Sequence, residues 1–318
     1  MKSTLAAALL TYVSAFSAHV SICVGDAGDL LVSSRFSNNV LRYDRHTGAF
    51  KGVFASGDGL ANPNGIAYGP DGNLYVGLGD TGRIMKFQGQ SGAYLGDFVN
   101  SNVAGFSGCR AITFGPDGNL YVAGANINSV LRFDGATGAF KDVFASGNGM
   151  NGTVGLTFAS NGDLYVGAAI SNAAYRFNSQ GQFIRTYGGG ALSQVTGVLF
   201  DSQNHLLTAY SVSNRIQRYN LNGTSAGSFG VTSLLNTPIG MILDPDGNLL
   251  VGSFANDSVL KYDGTTGALL GTLVASGAGG LDGTHNFAFM QVPGPGGIAV
   301  TVICLCAGAR RRRSAVTQ

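Results

Sequence analysis

The sequence predicts an all-β domain, a six-bladed β-propeller of four-stranded blades whose circle is closed by a C-terminal strand. Three observations carry this expectation. Gly contributes 50 of 318 residues, all 17 acidic residues are Asp, and Trp is absent; a chain without Glu, poor in Lys and dense in Gly is a weak helix former. A five-residue pattern recurs six times with a period in the forties. Short runs rich in Val, Tyr and Phe lie between the copies, punctuated by Asp-Gly and Asn-Gly, which are strand and turn signals.

The repeat reads Gly-Asp-Leu-Leu-Val at 28–32, Gly-Asn-Leu-Tyr-Val at 72–76 and 118–122, and Gly-Asp-Leu-Tyr-Val at 162–166. Asn-His-Leu-Leu-Thr follows at 204–208 and Gly-Asn-Leu-Leu-Val at 247–251. The first Leu of each falls at Leu30, Leu74, Leu120, Leu164, Leu206 and Leu249, spacings of 42 to 46 residues. Strand-like units at that period read as propeller blades. Within a unit, residues 65–68 make a first strand, Pro70-Asp71-Gly72 a turn, 73–77 a second strand and 83–87 a third. A fourth, seen at 139–144, follows a Thr-Gly turn. A closed ring of such sheets covers edges that an open array would expose.

First strands begin near 65, 111, 155, 197 and 240, and a further copy at 285–289 has no second strand after it. The first unit conversely begins almost at its own second strand. The expected closure therefore places residues 286–290 in the blade started at the N-terminus. Residues 20–24 are the competing candidate for that place.

The two ends read as addresses. Met1-Lys2-Ser3-Thr4 precedes an apolar run from Leu5 to Ala15, a signal-peptide layout with cleavage after Ala15 or Ser17. The alternative for this run is a buried first strand. At the other end stand Val292, Pro293, Gly294 and Pro295, then a 12-residue apolar stretch, then Arg310, Arg311, Arg312 and Arg313. That stretch is shorter than the ~20 residues a relaxed membrane-spanning helix needs, and an Arg cluster after it is a stop-transfer signal. The expected division is residues 1–18 as signal peptide, 19–291 as propeller and 292–318 as sorting tail.

Charge and composition exclude several classes. Charged residues make up 11% and hydrophobic ones 45%, whereas about 25% charged is usual. Apolar content this high argues against a disordered chain. Lys2 and the four terminal Arg leave 14 basic residues against 17 Asp in the body, so it offers no footprint for nucleic acid. Cys23, Cys109, Cys304 and Cys306 show neither disulfide-framework nor zinc-site spacing. The four His form no metal motif, and no nucleophile elbow or phosphate-binding Gly-Lys loop appears. No cofactor is expected.

Units reading Gly-Leu-Thr-Phe, Pro-Asp-Gly-Asn-Leu-Tyr-Val and Val-Leu-Arg-Phe-Asp resemble NHL-repeat propellers over roughly residues 28–290. They are also similar to the regucalcin/gluconolactonase-like six-bladed superfamily. The tail resembles the PEP-CTERM sorting signal of bacterial surface proteins, with Gly294 where that motif carries Glu. This resemblance implies an exosortase-type processing enzyme as a partner. It further implies export, display at the cell surface and membrane contact through the C-terminal segment.

Propeller ligands usually meet the channel mouth. Aligning the units puts Asn64, Arg110, Val154, Thr196, Ile239 and His285 at the entry to the innermost strand, so Asn64, Arg110, Thr196 and His285 are the binding candidates. The lactonase likeness implies a metal held by Glu, Asn and Asp. Only Asn64 matches, no Glu exists, and a hard cation wants several oxygens with carboxylates among them; no metal site and no catalytic residue is expected. Asp244-Pro245-Asp246-Gly247-Asn248 resembles the start of an EF-hand loop but lacks the closing Glu, so a hairpin turn is the better reading. Arg42, Lys86, Arg132, Arg176, Arg218 and Lys261 recur once per unit. They read as stems packed between blades with heads paired to Asp such as Asp44, Asp134 and Asp263.

The functional expectation is a non-catalytic binding or structural propeller with a protein or glycan ligand. The alternatives are a degenerate lactonase-like or lyase-like enzyme and a cell-envelope carbohydrate binder. Fractionation of cells expressing an epitope-tagged chain checks the address: the protein should appear outside the cytoplasm with its N-terminus shortened. Soluble cytoplasmic protein with an intact N-terminus contradicts it.

Overall fold

The computed structural model describes residues 28–291, apart from 101, 102, 104, 125, 190, 191, 231 and 232. The signal-peptide and sorting-tail expectations, and the competing strand at 20–24, lie outside the described residues. Twenty-four strands form six four-stranded antiparallel sheets, with two single-turn 3₁₀ segments between strands.

The first sheet holds β1 (Leu30–Ser34), β2 (Asn39–Tyr43) and β3 (Phe50–Ala55). The second runs β4 (Pro63–Tyr68), β5 (Leu74–Leu78), β6 (Ile84–Phe87) and β7 (Tyr94–Val99). The third is β8 (Cys109–Phe114), β9 (Leu120–Gly124), β10 (Ser129–Phe133) and β11 (Phe140–Ser146). The fourth is β12 (Thr153–Phe158), β13 (Leu164–Ala168), β14 (Ala173–Phe177) and β15 (Phe183–Gly188). Then come β16 (Val195–Phe200), β17 (Leu206–Tyr210), β18 (Arg215–Tyr219) and β19 (Ser225–Phe229). The last are β20 (Pro238–Leu243), β21 (Leu249–Ser253), β22 (Ser258–Tyr262) and β23 (Leu269–Val274), followed by β24 (Thr284–Phe289).

Strand β24 pairs with β1, so the first sheet reads β24-β1-β2-β3 and the C-terminal strand closes the circle. Its bounds lie slightly earlier than expected. The other inner strands likewise start about two residues before the apolar run that marked them, because Pro63, Cys109 and their equivalents already pair with the second strand.

Every second strand is buried along its whole length. Alternate residues point to opposite faces, and both faces meet a neighbouring blade. Leu31 joins Leu74 and Val76 of the second blade, while Leu30 and Val32 join Leu250 and Val259 of the sixth. The apolar core is thus six clusters, one in each gap between blades. Tyr75, Tyr121 and Tyr165 cross these gaps edge-to-face onto Phe114, Phe158 and Phe200 with ring centroids 4.8 to 5.0 Å apart.

At the axis the inner strands nearly touch. A Cβ on Gly65 would lie 2.8 Å from Ala111 Cα, and one on Gly155 would lie 2.9 Å from the Thr196 carbonyl oxygen. At Gly197 and Gly240 the carbonyls of Ile239 and His285 stand closer still. Their glycines are needed for space. Gly240→Ala should therefore destabilise the domain by about 1–3 kcal/mol, the usual cost of overpacking, read as a lowered midpoint in urea unfolding. An unchanged midpoint would show that the inner strands can move apart.

Candidate functional site

Each inner strand runs from one mouth of the channel to the other. In all six, the register against the second strand shifts at or just after the second residue, a β-bulge. The bulge positions are those the repeat alignment singled out, from Asn64 to His285. A bulge re-aims a side chain out of the regular alternation, so these six residues meet different surroundings despite equivalent places.

Asn64 turns inward and is fully buried. Its Nδ2 donates to the Cys109 carbonyl at 3.1 Å, tying β4 to β8, while Oδ1 has no hydrogen-bond partner among the described residues. Thr196 does the same work three gaps on, between the fifth and sixth blades, donating from Oγ1 to the Pro238 carbonyl at 2.6 Å. Asn64 and Thr196 are therefore clamps between blades. Val154 and Ile239 are apolar and half-buried.

Arg110 and His285 come together with two residues the alignment did not name, Arg35 and Asn286. Asn286 Nδ2 lies 3.4 Å from the Arg110 carbonyl and 3.1 Å from His285 Nδ1. A carbonyl only accepts, so the amide nitrogen faces both partners and His285 Nδ1 must accept; the ring hydrogen sits on Nε2. His285 is 5% exposed. Burial, then the charges of Arg35 and Arg110, pull its pKa from 6.5 to about 3. Arg35 is lowered by burial and by Arg110, with Asp80 opposing. Arg35 belongs to the 35–38 loop between β1 and β2, which carries no repeat signal. Asn286 had one: the equivalent residue is Gly65, Gly155, Gly197 or Gly240 in four other blades and Ala111 in the fifth.

Beyond the mouth, the channel holds a cavity of about 350 Å³ walled by the inner strands, with Ile66, Ile112, Leu156, Met241 and Phe287 among its lining. Its walls carry no charged side chain. Among the described residues, no group of three or more His, Cys or Asp is placed to hold a metal ion. Asp244 Oδ1 accepts from the backbone N–H groups of Asp246 and Asn248, which makes the EF-hand-like segment a hairpin turn.

The basic residues of the third strands are paired, but not as expected. Arg42 meets Asp29 at 2.5 Å, Lys86 meets Asp71 at 2.8 Å and Arg176 meets Asp163 at 2.6 Å. Arg218 meets Asp201 at 3.0 Å and Lys261 meets Asp244 at 2.9 Å. Arg132 pairs with Asp142 and stands 3.9 Å from Asp117. Asp44, Asp134 and Asp263 instead hold their own Thr-Gly turns, each accepting from the N–H and hydroxyl of Thr47, Thr137 or Thr266. A side chain already satisfied by its own turn is not drawn to a cation on the adjacent strand; among these three, only Asp44 also takes one, Lys51 at 3.1 Å.

No family model matches the sequence, and no curated protein matches it either. The fold is similar to solved propellers. Virginiamycin B lyase from Staphylococcus aureus aligns at 19% identity and a TM-score of 0.54, over 65% of this chain and 68% of that one. A catalytically inactive His-to-Ala form of that lyase with quinupristin aligns equally well. A chain of the nidogen/laminin complex aligns at 14% identity and a TM-score of 0.67, over 82% of this chain and 98% of that one. Identities this low describe a shared fold that hosts unrelated functions.

The His285 environment has a stability consequence. The unfolded chain takes up this proton near pH 6.5 and the folded chain only near 3. Its contribution is therefore fully present above about pH 6.5 and lost progressively as the pH falls toward 3. The urea midpoint should fall between about pH 7 and about pH 5, where carboxylates stay ionised. His285→Gln should flatten that fall; an equal fall in the variant would remove His285 as its source.

Proposed function

We propose that this chain is a non-catalytic binding propeller, exported and held at the cell surface through its C-terminal segment. The single observation that supports it best is the use made of the channel-mouth positions. Asn64 and Thr196 are spent on holding blades together. His285 is so weak a base that its neutral form drives little proton abstraction at neutral pH, where a general base works best with a pKa near the ambient value. What the mouth offers is recognition chemistry: partly exposed guanidinium groups at one end of a channel whose cavity lining holds no charged side chain among the described residues.

The layout of the domain suits display. The Gly28 N–H donates to the Met290 carbonyl and the Met290 N–H to the Asp29 carbonyl, so both ends of the propeller leave side by side. They leave at the far end of β24 from His285. A tail from Val292 that engages a membrane, or an exosortase-type enzyme, would turn the Arg110 mouth outward. The resemblance to NHL repeats and to the PEP-CTERM layout supports the same reading, with a protein or glycan as ligand.

A second reading, a lyase-like enzyme, draws on the virginiamycin B and streptogramin B lyases among the similar folds and on His285 at the mouth. One experiment separates the two. The purified full chain is incubated with gluconolactone and with quinupristin, with and without Ca²⁺ or Zn²⁺, and metal binding is followed by calorimetry. The expected outcome is no turnover and no saturable metal binding tighter than about 100 μM, a limit within the range of functional sites. Turnover abolished by His285→Ala, or a stoichiometric metal site lost in Asn64→Ala, would overturn the binding reading.

A further inference from the structure

We infer that the channel mouth binds an organic monocarboxylate, its charge held between Arg35 and Arg110 and its apolar body resting on Phe36. The inference rests on the binding-propeller reading and names the ligand class.

The first support is an imbalance of charge. All six third-strand cations have a carboxylate at hand, and Arg83 meets Asp97 at 2.7 Å. Arg35 and Arg110 form no ion pair among the described residues, and Arg35 Nε donates to Asn62 Oδ1 at 3.3 Å; Lys141, Arg185 and Arg215 form none either, but Arg35 and Arg110 are the two that stand near each other, close enough for Arg110 to lower the pKa of Arg35. Two like charges held together out of bulk water repel each other more strongly than on an open surface. An anion seated between them removes that repulsion.

The second support is the donor character of the set. A guanidinium has five N–H donors and no acceptor. Asn286 fixes His285 with its hydrogen on Nε2, and that N–H forms no hydrogen bond among the described residues. Arg35, Arg110 and the His285 Nε2–H are thus donors, the chemistry that matches a carboxylate's paired acceptors. Asn286 is the one bulky side chain at a register position that elsewhere holds Gly or Ala, and its amide fixes the imidazole and contacts the Arg110 backbone.

The exposed aromatic beside the charge site selects the class. Asp80 is the acidic group whose field reaches Arg35, and it is engaged by Asn62 Nδ2. Beside Arg35, Phe36 is 54% exposed, with the guanidinium 5.5 Å from its ring and Phe254 edge-on at 5.6 Å. An exposed aromatic next to a charge site favours a ligand with an apolar body.

The test uses calorimetry on the full chain with phenylacetate, its neutral analogue 2-phenylethanol, and inorganic phosphate. Phenylacetate should saturate one site with a Kd of about 1 mM or tighter, and 2-phenylethanol should not saturate. Arg110→Gln and Arg35→Gln should each weaken phenylacetate about tenfold or more, as expected for loss of one charge-assisted contact. Arg35 lies in a surface loop, so its variant keeps the test open if Arg110→Gln fails to fold. Affinity retained in both variants, saturation by the neutral analogue, or tighter binding of phosphate would overturn the proposal. Absence of both carboxylate binding and turnover removes this site while leaving the non-catalytic reading standing. Carboxylate binding together with quinupristin or lactone turnover keeps the site and removes that reading.

Discussion

Six inner strands converge on one axis, and their backbones approach until neighbouring strands leave no room for a methyl group at Gly65, Gly155, Gly197 and Gly240. This approach fixes the ring. It sets how far each sheet can lean toward its neighbour, and therefore how deeply the second strands are buried and how well the six inter-blade clusters fill. It also brings bulged residues of adjacent blades within hydrogen-bond reach, as Asn64 with Cys109 and Thr196 with Pro238. Where the pattern departs from glycine, at Asn286, the mouth acquires its imidazole support.

The sparse charge of the chain is organised around the blades. A carboxylate just ahead of the second strand meets the third-strand cation in the same blade, from the turn after the first strand in five blades and from the chain leading into β1 in the first, and it comes from different positions there. Asp29 and Asp163 stand one residue before the second-strand Leu, Asp71 three before it, and Asp201 and Asp244 five before it. The pairs are partly exposed and individually modest in energy. Several cations also lie over rings, Arg132 at 5.1 Å from Phe144 and Arg218 at 4.4 Å from Phe229, so the stems pack as well as pair. Against this background Arg35 and Arg110, two guanidiniums near each other without an ion pair among the described residues, lie where propeller folds leave a ligand room to enter.

The likeness to the lyases and to the nidogen/laminin propeller reports the same architecture under different chemistries. A ring of inner strands supplies six equivalent bulges, and what they do depends on the side chain each sequence puts there. Here two are clamps, two are apolar, one is an arginine and one is a buried histidine held neutral.

The sequence by itself determined the blade count and the four-strand unit, and it offered the C-terminal strand for closure against a competing segment at 20–24; the pairing of β24 with β1 is what the tertiary structure decided. The count and the unit follow from a period and a composition that leave the backbone few alternatives. It also located the six mouth positions, because a repeat alignment finds equivalent places. Their roles were decided only by tertiary structure. A bulge buries Asn64 between blades and leaves Arg110 partly exposed, although the two are equivalent in the repeat. The partners of the third-strand cations were likewise hidden, since Asp44, Asp134 and Asp263 are nearer in the repeat pattern but already satisfied by Thr47, Thr137 and Thr266. Arg35, more than 70 residues from Arg110 and 250 from His285, meets them only because the ring closes. No local pattern records that meeting: the distance between those residues is set by the packing of the strands around the axis.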